Sequence, residues 1–305
     1  MLKNAGALCL TLLVSLTGYA QQGKRYKDPV FKNITIDEDL SYATQRGKAD
    51  ERAYLFDFYQ PTGDHSNKRP LIIWMHGGGF KFGSKKAKGI RVWCKTFAER
   101  GYVCAAINYS LSKKNPIFHF SELQKSAYYA VQDARMAVEY FRKNAAKYGI
   151  DADKIVLAGN SAGGMIALEA AYSTNKELAE QVGITDQEPG EGLAGRVKVA
   201  AVINYWGGIF NIDWLKNASV PIVNICGSKD GIVSPDNNKG ALYGAIAIHR
   251  RADDLHIPNT IKVFDGYSHE LQKHFNPFFQ GGKETEKRWL MAAQVTADFL
   301  YNKVI

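Results

Sequence analysis

IVLAGNSAGG, residues 155–164, is the stretch on which the fold turns. Within it, Gly159-Asn160-Ser161-Ala162-Gly163 follows a short apolar run, 155–158, and opens a helical segment over 161–172. A serine between two glycines at a strand-to-helix turn is the context of a nucleophile elbow. Such a turn is tight and holds the serine at a strained backbone angle, so a Cβ on either flanking glycine would collide. The Ser161 Oγ then stands clear of the sheet above a helix N-terminus, whose dipole favours developing negative charge. Taken alone, the five residues read equally well as a glycine-rich turn.

Around this stretch, buried strands alternate with helices. The runs 71–75 (LIIWM), 102–109, 155–158, 197–205, 220–226 and 260–264 have the composition of buried strands. Helical spacing is expected over 90–100, 121–147, 161–172 and 283–301, with Ala130, Ala134, Val138 and Phe141 on one face of the longest. The shorter alternating runs between 31 and 59 read as antiparallel edge strands. The pattern predicts an α/β fold: a mostly parallel central sheet, N-terminal antiparallel edge strands and helices on both faces. In such sheets the reacting groups gather at the carboxyl ends of the strands. Residues 173–196 and 207–219 are expected to be irregular, as loops or a small lid. No internal repeat or long linker divides the chain, so 21–305 reads as one catalytic domain.

Three further groups fall at predicted strand ends. His76-Gly77-Gly78-Gly79-Phe80 follows the 71–75 run directly, and consecutive glycines leave backbone N–H groups free to face an oxyanion, together with that of Ala162. A phosphate loop fits less well, because neither a Gly-Lys-Ser/Thr ending nor G-x-G-x-x-G is present. An acid is expected between serine and histidine in chain order. Asp230 lies just past the 220–226 strand and is preferred to Asp236; His269, just past 260–264, is preferred to His274.

HGGGF, GNSAGG, GSKDGIVSP and GYSHEL, in that order, resemble the esterase/lipase branch of the α/β-hydrolases, close to its hormone-sensitive-lipase-like and carboxylesterase groups. The likeness runs from about Tyr54 to Tyr301. It implies an α/β-hydrolase fold and serine ester hydrolysis, with Ser161, Asp230 and His269 as triad and Gly78, Gly79 and Ala162 as oxyanion donors. It also implies that His76 is a structural loop residue and that no metal or organic cofactor is needed. Position 160, usually acidic in those groups, is Asn here. Relatives of this fold that act on acetyl or feruloyl esters of plant polysaccharides carry similar motifs. Competing readings are a serine peptidase of the same fold, for whose guarding domain the chain lacks room, and a non-catalytic binding protein, which would normally have lost a triad member.

Composition bounds the rest. The 305 residues are 46% hydrophobic and 23% charged, as expected of an ordinary globule. Residues 1–20 read as a signal peptide: Lys3, an apolar run over 8–16, then Gly18-Tyr19-Ala20 before a cut at Gln21. The expected location is therefore secreted or periplasmic. No run reaches the roughly 18 apolar residues of a membrane span. The net charge of +9 is spread over several lysine groups without interleaved aromatics, which argues for a solvated basic surface rather than nucleic-acid binding. Cys94, Cys104 and Cys226 read as core residues without zinc spacing, with a Cys94–Cys104 bridge left open. Phe80, Trp206 and Trp214, with Tyr205, Phe275 and Phe278, are expected near strand ends as substrate-pocket residues. Acidic residues dominate 177–191 where an apolar lid would sit, which favours short-chain or carbohydrate-linked esters as the small-molecule or oligosaccharide substrate.

Overall fold

The computed structural model describes residues 23–43, 51–184, 195–236, 242–277 and 281–305. The expected signal peptide, residues 1–20, lies outside them, as do Phe278 and residues 185–191 of the acidic stretch.

Among the described residues, eight strands form one sheet: β1 (Ile34–Ser41), β2 (Leu55–Pro61), β3 (Arg69–Met75), β4 (Val103–Ile107), β5 (Ile150–Asn160), β6 (Ala201–Tyr205), β7 (Ile222–Gly227) and β8 (Asn259–Phe264). Their order is β1-β2-β4-β3-β5-β6-β7-β8. β1 pairs antiparallel with β2, and β2 with β4; every other neighbour is parallel. This is the expected α/β-hydrolase arrangement. The continuous apolar runs become central strands because both of their faces are covered, and all seven residues of β3 are buried. β1 carries side chains that are mostly exposed, and its register slips between Asp37 and Leu40.

Helices are α1 (Lys88–Ala98), α2 (Phe120–Lys143), α3 (Ala145–Tyr148), α4 (Ala162–Tyr172), α5 (Asn175–Val182), α6 (Ala245–Asp254) and α7 (Lys283–Lys303). α2, α4 and α6 cover one face, where Val131, Ala134, Val138, Ile166 and Ile248 join Leu71, Ile73 and Leu157 in the core. α1 and α7 cover the other, where Trp93, Phe97, Trp289 and Ala293 meet Ile72, Trp74 and Ile203. All eleven residues of α4 are buried, so the helix that starts at the elbow is sealed on every side.

The structure departs from the expected elements in four places. The helix expected over 121–147 breaks at Asn144 into α2 and α3. Part of the expected loop 173–196 is α5, opened by a capping box in which Thr174 Oγ1 accepts the Glu177 N–H and Glu177 accepts the Thr174 N–H. A short 3-10 turn, Ile212–Asn217, lies inside the loop expected over 207–219. α6 occupies a segment given no element. The bridge left open between Cys94 and Cys104 is not formed: both are free and buried, as is Cys226. No helix among the described residues is long and apolar enough to cross a membrane.

Candidate active site

The carboxyl ends of β3, β5, β7 and β8 converge on Ser161. It follows β5 and adopts φ +53°, ψ −119°, a left-handed conformation disfavoured for a residue with a Cβ. Two backbone ties fix it there: its N–H donates to Tyr205 O (2.8 Å), and its carbonyl accepts the Met165 N–H (3.1 Å). The flanking glycines are obligatory. A Cβ on Gly159 would run into the Gly163 carbonyl, and one on Gly163 into the Met75 carbonyl at the end of β3.

Three side chains distant in sequence meet here. His269, in the loop after β8, has Nδ1 2.7 Å from Asp230 Oδ2 and Nε2 2.9 Å from Ser161 Oγ. A carboxylate only accepts, so Nδ1 carries the proton and Nε2 is left to accept from the serine hydroxyl. The Asp230 Oδ1 accepts the N–H groups of Ile232 (2.9 Å) and Val233 (3.0 Å), which aims the other oxygen at the imidazole. His269 and Asp230 are both buried. The rival residues are elsewhere: Asp236 is tied to Arg250 at the surface (2.7 and 2.9 Å), and His274 is exposed.

The glycine loop lies beside the serine. Gly77 approaches so closely that a Cβ there would stand 3.2 Å from Ser161 Cβ. Its N–H donates to Asn160 Oδ1 (3.1 Å), so Asn160 ties the loop to the elbow. Gly78 and Gly79 hold φ values of +114° and +60°. Among the described residues, the N–H groups of Gly78, Gly79 and Ala162 donate to no protein acceptor, which leaves them for a ligand oxygen. His76 is not part of the hydrogen-bonded trio. Its ring stacks on Tyr109 (4.4 Å between centroids), its Nδ1 donates to Gly77 O (2.7 Å), and burial pushes its pKa down to about 4, which keeps it neutral.

The loop leaves the site through Lys85, a buried residue whose ammonium bonds the buried Asp57 of β2 and also Asp39 (2.6 Å). A second segment, 110–119, is stitched onto it. Ser112 N–H donates to Phe80 O (2.8 Å), and Lys81 Nζ donates to the carbonyls of Ser112 (3.1 Å) and Lys113 (3.0 Å). This brings Ile117 over Gly79, where a Cβ would lie 3.1 Å from Ile117 Cγ1. Ile117, Phe118 and Phe120 are all exposed, and Phe120 meets the ring of Phe210 edge-on at 6.1 Å. Phe210 N–H is held in turn by Oε1 of the buried Glu169 (2.8 Å), whose carboxyl burial pushes up to about 8.

The aromatic residues expected to line a pocket need correction. Phe80 is fully buried with its edge toward Tyr109, Trp206 is enclosed between Tyr205 and Trp93, and Trp214 packs into the core from its 3-10 turn. Large apolar rings next to the sheet gain more from burial than from facing the open site. Phe275 does reach the site, meeting the His269 ring edge-on at 5.0 Å. Sequence reading missed Asn160 as a tie and Ile117 as a wall. No local pattern signals either, because each acts on a partner tens of residues away.

Comparison with known proteins agrees with this architecture. The probable carboxylic ester hydrolase LipM of Mycobacterium tuberculosis is 24% identical over 194 residues, covering 64% of this chain and 39% of that protein. Gut esterase 1 of Caenorhabditis elegans is 29% identical over 98 residues, covering 32% of this chain and 17% of that protein. This chain thus spans well under half the length of either relative. Among solved structures, Thermogutta terrifontis esterase 2 phosphonylated by cyclosarin superposes with a TM-score of 0.61 at 20% identity, covering 87% of this chain and 93% of that one, a likeness of fold. The BD-FAE family model matches residues 56–225, from β2 through the elbow to β7. That is more than half of the sequence, and the chain belongs to the BD-FAE family.

Proposed function

We propose that the protein hydrolyses carboxylic esters through an acyl-enzyme on Ser161. One observation carries the reading: the unbroken chain from Ser161 Oγ through His269 to Asp230, with spacings of 2.9 and 2.7 Å, built on a strained elbow beside unpaired N–H groups. His269 Nε2 takes the hydroxyl proton as Oγ attacks the ester carbonyl, while Asp230 holds the tautomer and stabilises the imidazolium. The carbonyl oxygen gains charge within reach of the Gly78, Gly79 and Ala162 N–H groups. Each such donor is typically worth about 100- to 1,000-fold in rate. His269 then protonates the departing alcohol, and water attacks the acyl-enzyme by the same route.

Short-chain or carbohydrate-linked esters, acetyl or feruloyl among them, are the substrates we favour. The apolar side chains at the rim support a small apolar acyl or aryl group, and the names of the relatives support ester chemistry. Export to the periplasm or the medium completes the proposal, on the strength of the leader pattern in residues 1–20.

A panel of 4-nitrophenyl esters of rising chain length, run beside acetylated and feruloylated xylan, tests mechanism and substrate together. Ser161→Ala should abolish turnover of every ester that the wild type cleaves; undiminished turnover would refute the nucleophile. N-terminal sequencing of exported protein should begin at or near Gln21, and an intact Met1 would refute export.

A further inference from the structure

His269 is followed by two residues that are both left-handed, Glu270 at φ +56° and Leu271 at φ +58°. Neither is glycine, and consecutive residues with a Cβ in this region persist only where their surroundings impose it. Leu271 is fully buried, which supplies part of the constraint. The loop's own backbone bonds add to it, from Leu271 N–H to Ser268 O (3.2 Å), Gln272 N–H to His269 O (3.1 Å) and Ser268 N–H to Gln272 O (2.7 Å), and α7 adds two ties from outside the loop. Trp289 Nε1–H donates to Glu270 O (2.8 Å), and Arg288 Nε–H donates to Leu271 O (2.7 Å). Both carbonyls of the left-handed pair are thus received by adjacent residues of one helix. The Arg288 guanidinium also lies 4.1 Å over the ring of Tyr267, two residues before His269, and bonds Thr285 Oγ1 (3.0 Å) on its own helix.

We infer that Arg288 and Trp289 are positioning residues for His269, fixing the imidazole between Asp230 and Ser161 by clamping the backbone on its C-terminal side. The inference rests on the reading of His269 as the base. Neither side chain hydrogen-bonds to Ser161, His269 or Asp230 among the described residues, so their action runs through the loop. The clamp has a built-in geometric demand. A flat guanidinium can stack on the ring of Tyr267 while its N–H meets the carbonyl of Leu271, a planar geometry that the compact ammonium of lysine lacks.

The test compares Arg288→Met, Arg288→Lys and Trp289→Phe with wild type on a 4-nitrophenyl ester. Activity is normalised to active sites titrated with an organophosphate, and the far-downfield resonance of His269 Nδ1–H is recorded. Lys287→Met, one residue away on the exposed face of α7, is the control. Misplacement of a catalytic group on the ångström scale costs about 100-fold. Arg288→Met and Trp289→Phe are therefore expected to lower kcat by about 10- to 100-fold with KM nearly unchanged, and to broaden or shift the resonance. Arg288→Lys should recover part of the loss, and Lys287→Met should match wild type. Folded variants with wild-type kcat per titrated site and an unmoved resonance would overturn the clamp. If Arg288→Met does not fold, a folded Trp289→Phe, which loses the indole N–H and part of a buried ring, decides alone. Ser161→Ala and His269→Ala run in the same assay separate the two layers: turnover surviving in them refutes the triad itself, whereas their inactivity beside fully active clamp variants refutes only the clamp.

Discussion

Gly207→Ala sets two physical effects against each other. Gly207 sits just past β6, outside the left-handed region, where alanine is sterically allowed by the backbone alone. There the substitution ordinarily stabilises by about 0.4–1 kcal/mol, because the unfolded chain has fewer conformations to lose. The packing says the opposite. A Cβ at this position would lie 2.8 Å from Ser161 O, 2.9 Å from Met165 N and 2.6 Å from Asn204 Oδ1. Two of those atoms are backbone, and the third is held by the Gly207 N–H itself (3.0 Å) and by a bond from Asn204 Nδ2 to Asn224 Oδ1 (3.0 Å). Ordinary van der Waals contact begins at 3.4 Å, so the loop and the elbow must part by about 0.6 Å. Overpacking of this kind costs about 1–3 kcal/mol, enough to outweigh the entropic gain. With about 100-fold lost per ångström of misplacement, a shift of about 0.6 Å lowers kcat by about ten-fold, or about 1.4 kcal/mol. Steady-state ester kinetics and a thermal melt measure both terms. Gly231→Ala is the control, since nothing stands within 4 Å of its added Cβ. A Gly207→Ala protein with wild-type kcat and an unchanged or higher Tm would refute the reasoning.

Three other perturbations probe different terms. Asp230→Asn should lower kcat by about 10,000-fold by favouring the wrong histidine tautomer, while Asp236→Asn, which only loosens a surface pair with Arg250, should leave kcat unchanged; ester kinetics rank the two, and the reverse order would reassign the acid. Lys85→Met should cost about 3–5 kcal/mol in denaturant unfolding, because it strands the buried Asp57 carboxylate without its cation, whereas loss of the exposed Lys198–Asp153 pair should leave stability unchanged. Glu169 is held neutral in the fold, its carboxyl raised from 4.5 to about 8 by burial, so the folded chain keeps a proton that the unfolded chain has released. Its contribution to stability is whole below about 4.5 and drains away as pH rises through about 8, so the Tm of wild type relative to Glu169→Gln should fall steadily across that window; a constant difference in melts would contradict it.

What the sequence made legible were the features in which chemistry and chain order coincide. The 71–75 run became β3 because a strand covered on both faces must be apolar throughout, and the serine became an elbow because its glycines leave few other backbones. The aspartate and histidine could be ranked because a carboxylate and an imidazole right after parallel strands reach the same edge of the sheet. Less local features stayed hidden. The aromatic residues at 80, 206 and 214 carry no sign of which side they face, and burial claimed all three. Asn160 holds Gly77 across 83 positions, and Arg288 reaches Leu271 across 17; neither tie has a periodicity to find. α5 is a different case, since Thr174 and Glu177 spell a capping box that could have been read. α6 begins at Gly244 with no side-chain cap, which removes the usual signal for a helix start.

The slip in β1 bears on how the molecule behaves among its own copies. Among the described residues, strand β1 closes one side of the sheet, and its outer row of backbone groups has no partner strand there that would bar recruitment by another chain. At the slip, Asp39 adopts φ +56° and turns its N–H inward to Asp57 Oδ1 (2.9 Å), which breaks the straight ladder that an incoming strand would need. Asp37, Glu38 and Asp39 place three carboxyl groups on the same few residues, with Lys85 and Lys86 drawn onto Asp39 and Glu38, so an incoming strand would meet a hydrated, charged rim rather than an apolar one. The buried Asp57 that anchors Lys85 behind the glycine loop therefore also bends the rim out of shape for templated growth.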